Sequence, residues 1–369
     1  MHSNKLLLIG LLAAAFGVVT VAQEDAVFTS GVEVVNLLAT VRDSHGQLVN
    51  DLTKGDFILK EDGKLQTIRY FARQADLPLT VGLLVDTSLS QRRILEQERS
   101  ASSEFFARVL DESKDQAFVL SFDFEVELLQ DLTGSKALLQ RALEDLQLPT
   151  GRVYRTGSGQ PLQWVESNQQ FPGGGIPGGP IPGDRGRRRL PRGRRGGGGP
   201  ASGGAGAIGT AMYDAVYLSA NEVLHDQAGR KAVVLISDGV DMGSKLSAAE
   251  AIEAAQRAEV VIYAVHYSDD EGYRMQAGRT AGRDGWRPRG EYALETLCNQ
   301  TGGRLFRLSD AATLAATFQQ IEEDLRNQYS IGYTPTNDSD STEFRRITLS
   351  LKDFKHKVSS RAGYYPRQD

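Results

Sequence analysis

Apolar and polar positions along this chain change their rhythm twice. Up to residue 75 they form short, mostly alternating runs. Val32 to Val41 ends at Asp43-Ser44-His45-Gly46, and Phe57 to Lys60 is joined to Thr67–Phe71 through Glu61-Asp62-Gly63-Lys64. An Asp-Gly pair between such runs predicts a hairpin, because both central residues of its turn take positive φ. From Leu79 onward, strand-length apolar runs alternate with segments whose apolar residues recur every three or four positions. Val81–Val85, Ala117–Phe122, Ala232–Ile236 and Val260–Tyr267 read as buried strands, with Glu125–Leu129 and Arg304–Arg307 as shorter ones. Ile94, Leu95, Ala101, Phe105, Phe106, Val109 and Leu110 fall on one helical face. Further helices are predicted at Lys136–Leu146, Ala211–Leu224, Ala248–Ala258, around Tyr292–Cys298, and at Ala311–Arg326 with Ser309 or Asp310 as its cap. After Asn327 the alternation returns in Tyr329, Ile331 and Tyr333, in Ile347, Leu349 and Leu351, and in a last strand from Lys357 to Tyr364.

Alternating strands and helices predict an α/β unit with a doubly wound, mostly parallel sheet covered by helices on both faces. Neither chain end supplies enough strands for a stable sheet alone. The two ends are therefore expected to pair into one β sandwich. The resulting plan is an N-terminal β region over 23–75, an α/β unit over 76–327 and a C-terminal β region over 328–369.

Composition adds three points. Lys5 precedes the apolar run Leu6 to Val19, and small residues follow at Thr20-Val21-Ala22, the pattern of a signal peptide spanning 1–22, with an uncleaved anchor as the alternative. The expected location is secreted or periplasmic, with no stable membrane span after cleavage. The sole cysteine, Cys298, excludes an internal disulfide and reads as a small buried hydrophobe. The stretch 151–205 is rich in Gly, Pro and Arg and cannot bury enough apolar surface to offset the entropy of ordering, so it is expected to be a disordered insertion. It carries a charge of about +7, which leaves the remainder near −12. Arg185, Arg187, Arg188, Arg189, Arg192, Arg194 and Arg195 make it a candidate arm for anionic polymers, or a surface insertion that merely stays soluble.

The candidate chemistry lies in five oxygen-bearing side chains. Asp86, Ser88 and Ser90 follow the run ending at Val85, Thr210 opens a predicted helix, and Asp238 with Gly239 follows the run ending at Ser237. Loops at the carboxyl ends of parallel strands gather at one crevice, so these positions can meet around one ligand. Two carboxylates and three hydroxyls suit a hard cation. Taken singly each piece has a plainer use, as helix cap or turn.

Together, in this order, the Asp-x-Ser-x-Ser stretch, the loop threonine and the Asp-Gly pair resemble the metal-ion-dependent adhesion site of von Willebrand factor A domains, a Rossmann-like fold. The resemblance implies that Ser88, Ser90 and Thr210 bind a divalent cation directly or nearly so, and that Asp86 and Asp238 bind it directly or through water. It leaves one coordination position for an acidic residue of a protein partner. Mg²⁺ is the first choice, with Mn²⁺ or Ca²⁺ as alternatives. Gly31-Val32-Glu33 and Gly363-Tyr364-Tyr365 extend the likeness to secreted VWFA-related proteins common in Acidobacteria.

The function expected from these residues is adhesion or scaffolding, without catalysis. Cys-x-x-Cys, His-Glu-x-x-His, P-loop and Gly-x-Ser-x-Gly arrangements with a matching histidine are absent from the sequence, and His45, His225, His266 and His356 stand singly. Two alternatives are metal-dependent hydrolysis, with Asp86 or Asp238 orienting a water, and binding of anionic polymers through the Arg-rich stretch. The sequence does not specify an oligomeric state.

Overall fold

A computed structural model describes residues 34–74, 77–88, 91, 94–147, 188–189, 210–267, 287–308, 314–336, 342–353 and 355–366. The signal peptide expected at 1–22, Ser90, and the 151–205 insertion apart from residues 188–189 lie outside them, as do Ser309 and Asp310.

The first strands are β1 (Val35–Arg42), β2 (Phe57–Glu61), β3 (Lys64–Gln66) and β4 (Ile68–Gln74). The hairpin forms where expected, with φ of 47° at Asp62 and 80° at Gly63. The strand expected at Thr67–Phe71 forms as β4, but the hairpin's own second arm is the short β3. It ends at Gln66, and the chain resumes one residue later as β4 in a different sheet.

The α/β unit begins with β5 (Leu79–Asp86), α1 (Leu95–Val109), β6 (Gln116–Phe122), β7 (Val126–Thr133) and α2 (Lys136–Glu144). A two-residue β8 (Arg188–Arg189) pairs antiparallel with Glu127 and Leu128 of β7. These two residues extend the sheet at the outer edge of β7, which offers backbone groups for pairing. The unit continues through α3 (Met212–Leu218), a π-helical turn at Ser219–Leu224, β9 (Arg230–Ser237), α4 (Ala248–Arg257), β10 (Val260–His266), α5 (Arg287–Thr301), β11 (Leu305–Arg307) and α6 (Leu314–Arg326). The predicted helix Ala211–Leu224 therefore changes its winding at Ser219, whose hydroxyl donates back to the Val216 carbonyl at 2.8 Å and competes with the helical ladder.

The seven-stranded sheet has the order β11-β10-β9-β5-β6-β7-β8. Strands β11 to β6 run parallel, and β7 and β8 are antiparallel additions at one edge. Successive side chains of a strand face opposite ways, so Leu83 and Val85 enter the core under α1, α2 and α6, whereas Leu84 enters the one under α3, α4 and α5. Cys298 is buried in the second of these, and burial pushes its thiol pKa up, which keeps the thiol inert. This is the doubly wound architecture expected. No helix among the described residues is long and apolar enough to cross a membrane.

The chain closes with β12 (Gln328–Tyr333), β13 (Arg345–Leu351), β14 (Lys357–Ser360) and β15 (Gly363–Tyr364). One four-stranded sheet has the order β14-β1-β12-β4, the other β15-β13-β2-β3. Their inner faces share one core of Leu37, Val41, Phe57, Leu59, Tyr329, Ile331 and Tyr333 with their neighbours, which makes the sandwich of two chain ends expected from the sequence. Lys357 to Tyr364 is not one strand. It breaks at Arg361, where the chain turns a corner from one sheet to the other and the guanidinium donates to the Asn36 carbonyl at 2.7 Å.

Candidate functional site

Strand order reverses at the β5–β9 boundary, because the chain proceeds from β5 outward through β6 to one edge and from β9 outward through β10 to the other. That reversal opens a crevice beyond the carboxyl ends of the two strands. Asp86 ends β5, and Val85 lies opposite Ile236 in the parallel register, which brings Asp86 level with Ser237 at the end of β9. The Ser237 hydroxyl donates to Asp86 Oδ2 at 2.7 Å, and the Ser88 N–H donates to Oδ1 at 2.9 Å. The same Ser237 oxygen accepts the Gly239 N–H at 2.9 Å, tying the Asp238 loop to the Asp86 carboxylate. Asp86 and Ser237 are wholly buried, and Asp238 nearly so.

The loop after Asp238 turns sharply. Asp238 Oδ1 accepts the Val240 N–H at 3.0 Å. Gly239 has φ of 75°, and a Cβ there would stand 2.2 Å from the Gly290 carbonyl oxygen of α5, so both its conformation and its neighbour require glycine. Thr210 reaches the same loop: its hydroxyl donates to the Val240 carbonyl, and its own carbonyl accepts from Met242 and Gly243 at 3.2 and 3.0 Å. With its proton committed to Val240, the Thr210 oxygen keeps its lone pairs for another partner. The fold thus brings Asp86, Ser88, Thr210 and Asp238 to one end of the sheet. Gln91, just beyond the stretch containing Ser90, donates its side-chain amide to the Tyr267 carbonyl at 3.2 Å, and its N–H bonds the Ser88 carbonyl at 3.0 Å.

The electrostatics are those of an acidic site. Burial raises the Asp86 pKa, and the charge of Asp238 raises it further, against the lowering effect of Ser88 and Ser237. Glu98, wholly buried on α1, is raised well above its ordinary value by burial and then by Asp86. Neither of its oxygens has a hydrogen-bond partner among the described residues, and neither does the hydroxyl of Ser102 one turn on. A donor set of buried hydroxyls and carboxylates, in which Asp238 raises the proton affinity of Asp86, fits a divalent cation, which neutralises more charge at one point than any side chain can.

Sequence reasoning missed Ser237, Asp241, Ser244 and Glu98. The first three belong to the dense run Ser237-Asp238-Gly239-Val240-Asp241-Met242-Gly243-Ser244, whose repeated loop formers were the available signal. Glu98 interrupts the apolar face of α1 between Leu95 and Ala101, a polar residue at a core position. Of the Arg-rich candidates, Arg188 and Arg189 form β8; Arg185, Arg187, Arg192, Arg194 and Arg195 lie outside the described residues.

No family model matches the sequence, and no curated protein does. Solved structures similar to it include proximal thread matrix protein 1 from the mussel byssus, at 12% identity and a TM-score of 0.44 over 72% of this chain and 51% of that one. The chain spans about half the length of the mussel protein, which has also been solved with its MIDAS motif occupied by zinc. A von Willebrand factor type A protein from Catenulispora acidiphila is 11% identical, with a TM-score of 0.44 over 91% of this chain and 75% of that one. The vWF domain of the type V pili tip protein Mfa5 from Porphyromonas gingivalis is 12% identical, with a TM-score of 0.40 over 68% and 95%.

Proposed function

We propose that this is an exported binding protein whose sheet-end crevice holds one divalent cation and uses it to capture a carboxylate on a protein partner. The observation that carries the reading is the pair Asp86 and Asp238, buried on neighbouring strand ends, with Asp238 raising the pKa of Asp86. Two like charges taken out of water destabilise one another, and a cation between them relieves both. Asp86, Ser88, Thr210 and Asp238 would hold it, joined by Ser90 from the Asp86 loop. When bound, the ion supplies an electrophilic position for an incoming carboxylate; Mg²⁺ is the first choice because the set mixes few charges with several neutral oxygens. Mn²⁺ and Ca²⁺ are the alternatives.

The chain's own part is to hold that set still. Ser237 fixes the rotation of Asp86 while anchoring Gly239, and Thr210 is fixed by Val240. The reading assigns no catalytic residue. The secreted or periplasmic location rests on the pattern of residues 1–22, and the partner is a protein presenting Asp or Glu in water-exposed sequence.

Calorimetric titration of Mg²⁺ or Mn²⁺ into the full chain tests it. One site is expected, lost in Asp86→Ala, and partners recovered from the native envelope or medium with Mg²⁺ should be released by chelator. Equal binding by the wild type and Asp86→Ala, or retention of every partner in chelator, refutes the proposal.

A further inference from the structure

Helix α3 begins without a cap of its own: the residue before it is Ala211, which has no side-chain acceptor. By contrast α2 and α4 are capped by the serines that precede them, Ser135 and Ser247. The free N–H groups of the first turn of α3 are met instead from a loop thirty residues away. Met212 N–H donates to Asp241 Oδ1 at 2.9 Å, and Tyr213 N–H is shared between Asp241 Oδ1 at 3.4 Å and Ser244 Oγ at 3.0 Å. Asp214 N–H donates to Ser244 Oγ at 3.2 Å, and the Ser244 hydroxyl in turn donates to Asp241 Oδ1. The Asp214 carboxylate accepts from the backbone of Lys245 at 3.0 Å and of Leu246 at 2.9 Å, so the bonds run in both directions.

A serine or aspartate at position 211 would satisfy the helix end locally. Capping it from the second loop does something more, because Thr210 lies at one margin of this set of bonds and Asp238 lies two residues before Val240 at the other. The two loops that bring those oxygens together are fixed to each other through Asp241 and Ser244.

We infer that Asp241, assisted by Ser244, is a positioning residue for the cation crevice, holding the Thr210 loop and the Asp238 loop in mutual register without touching the ion. The inference rests on the cation reading above and adds to it a residue outside the five-residue motif. What matters is the acceptor geometry of Oδ1, which asparagine reproduces and alanine does not. Groups that orient metal ligands from behind typically change metal affinity by 10- to 100-fold when removed.

The test is Mn²⁺ affinity of the full chain by calorimetry, well below the melting temperature of each variant, alongside thermal unfolding. Asp241→Ala is expected to weaken Mn²⁺ binding at least tenfold, Ser244→Ala by a smaller factor, and Asp241→Asn to remain within about threefold of the wild type. Ser247→Ala, which removes the neighbouring local cap of α4, serves as the control: it should lower the melting temperature and leave the affinity unchanged. Wild-type affinity in Asp241→Ala overturns the inference. So does an asparagine variant as weak as the alanine one, or a Ser247→Ala loss as large as that of Asp241→Ala, which would reduce the role to general stability. If Asp241→Ala does not fold, Ser244→Ala carries the same test, with an unchanged affinity overturning it. Absence of Mn²⁺ binding by the wild type is a different result, one that removes the cation reading itself and this inference with it.

Discussion

Glu61 in the sandwich and Glu98 in the α/β unit are both carboxylates with no exposed surface, yet their surroundings are opposite. Glu61 meets the Arg345 guanidinium at 3.4 Å and accepts from the phenols of Tyr333 and, at 3.2 Å, Tyr364. Glu98 has no hydrogen-bond partner for either oxygen among the described residues and lies within the field of Asp86. The sandwich therefore completes its buried charge with its own side chains. The sheet end of the α/β unit gathers buried carboxylates, and their nearness adds to burial in raising the pKa of Asp86 and Glu98. Burial in the first place is completed by a partner; in the second it perturbs titration, as buried carboxylates at functional sites do.

The contrast can be broken most forcefully at Arg345. Arg345→Ala takes the guanidinium away from buried Glu61, and a loss of about 3–5 kcal/mol in denaturant unfolding is expected; a loss below about 1 kcal/mol would show that Glu61 is not held by its guanidinium. Glu98→Leu should act in the other direction and stabilise the chelator-treated protein by about 1–3 kcal/mol at neutral pH, because an unsatisfied buried group is replaced by an apolar one.

The sign of the pH effect follows from the raised pKa values of Glu98 and Asp86. The folded protein retains protons that the unfolded chain releases above the ordinary values of 4.5 and 3.8. The stability these groups contribute is fully present below those values and is lost as pH rises through the folded ones. Glu98→Leu should flatten that decline in unfolding measured from pH 4 to 8, and an unchanged slope would count against the contrast. The smallest effect belongs to Tyr364→Phe, which removes the longer phenol bond to Glu61 while Arg345 and Tyr333 remain. About 1 kcal/mol is expected, and a loss rivalling that of Arg345→Ala would mean that the phenols, not the guanidinium, hold the charge.

The fold was legible where periodicity reports burial. The apolar runs ending at Val85 and Ile236 became central strands because such runs suit a sheet covered on both faces, and Asp62-Gly63 made the expected turn. Corners were not legible. Gln66 to Ile68 and Ser360 to Gly363 switch sheets through local backbone bends that leave the alternation of side chains nearly intact, so β3 went unseen as a separate arm and Lys357 to Tyr364 read as one strand. The candidate site was legible in the residues that end strands, Asp86 and Asp238, because strand ends are visible in the apolar pattern. Asp241 and Glu98 were not, since their roles depend on partners about thirty residues away or across a helix–sheet interface.

The position of β1 constrains the order in which the molecule can be made. Val35 pairs with Tyr333 and Thr40 with Ser359, so β1 must wait for the whole α/β unit to be made before its neighbours exist. The parallel sheet, by contrast, draws all its strands from between those two segments. During synthesis the crevice end of the parallel sheet can therefore mature while β1 to β4 stand without their cross-chain partners, and the sandwich is sealed once β12 to β15 have been made. A stall before residue 328 would release a chain with a finished crevice and open sheet edges, the state most exposed to aggregation.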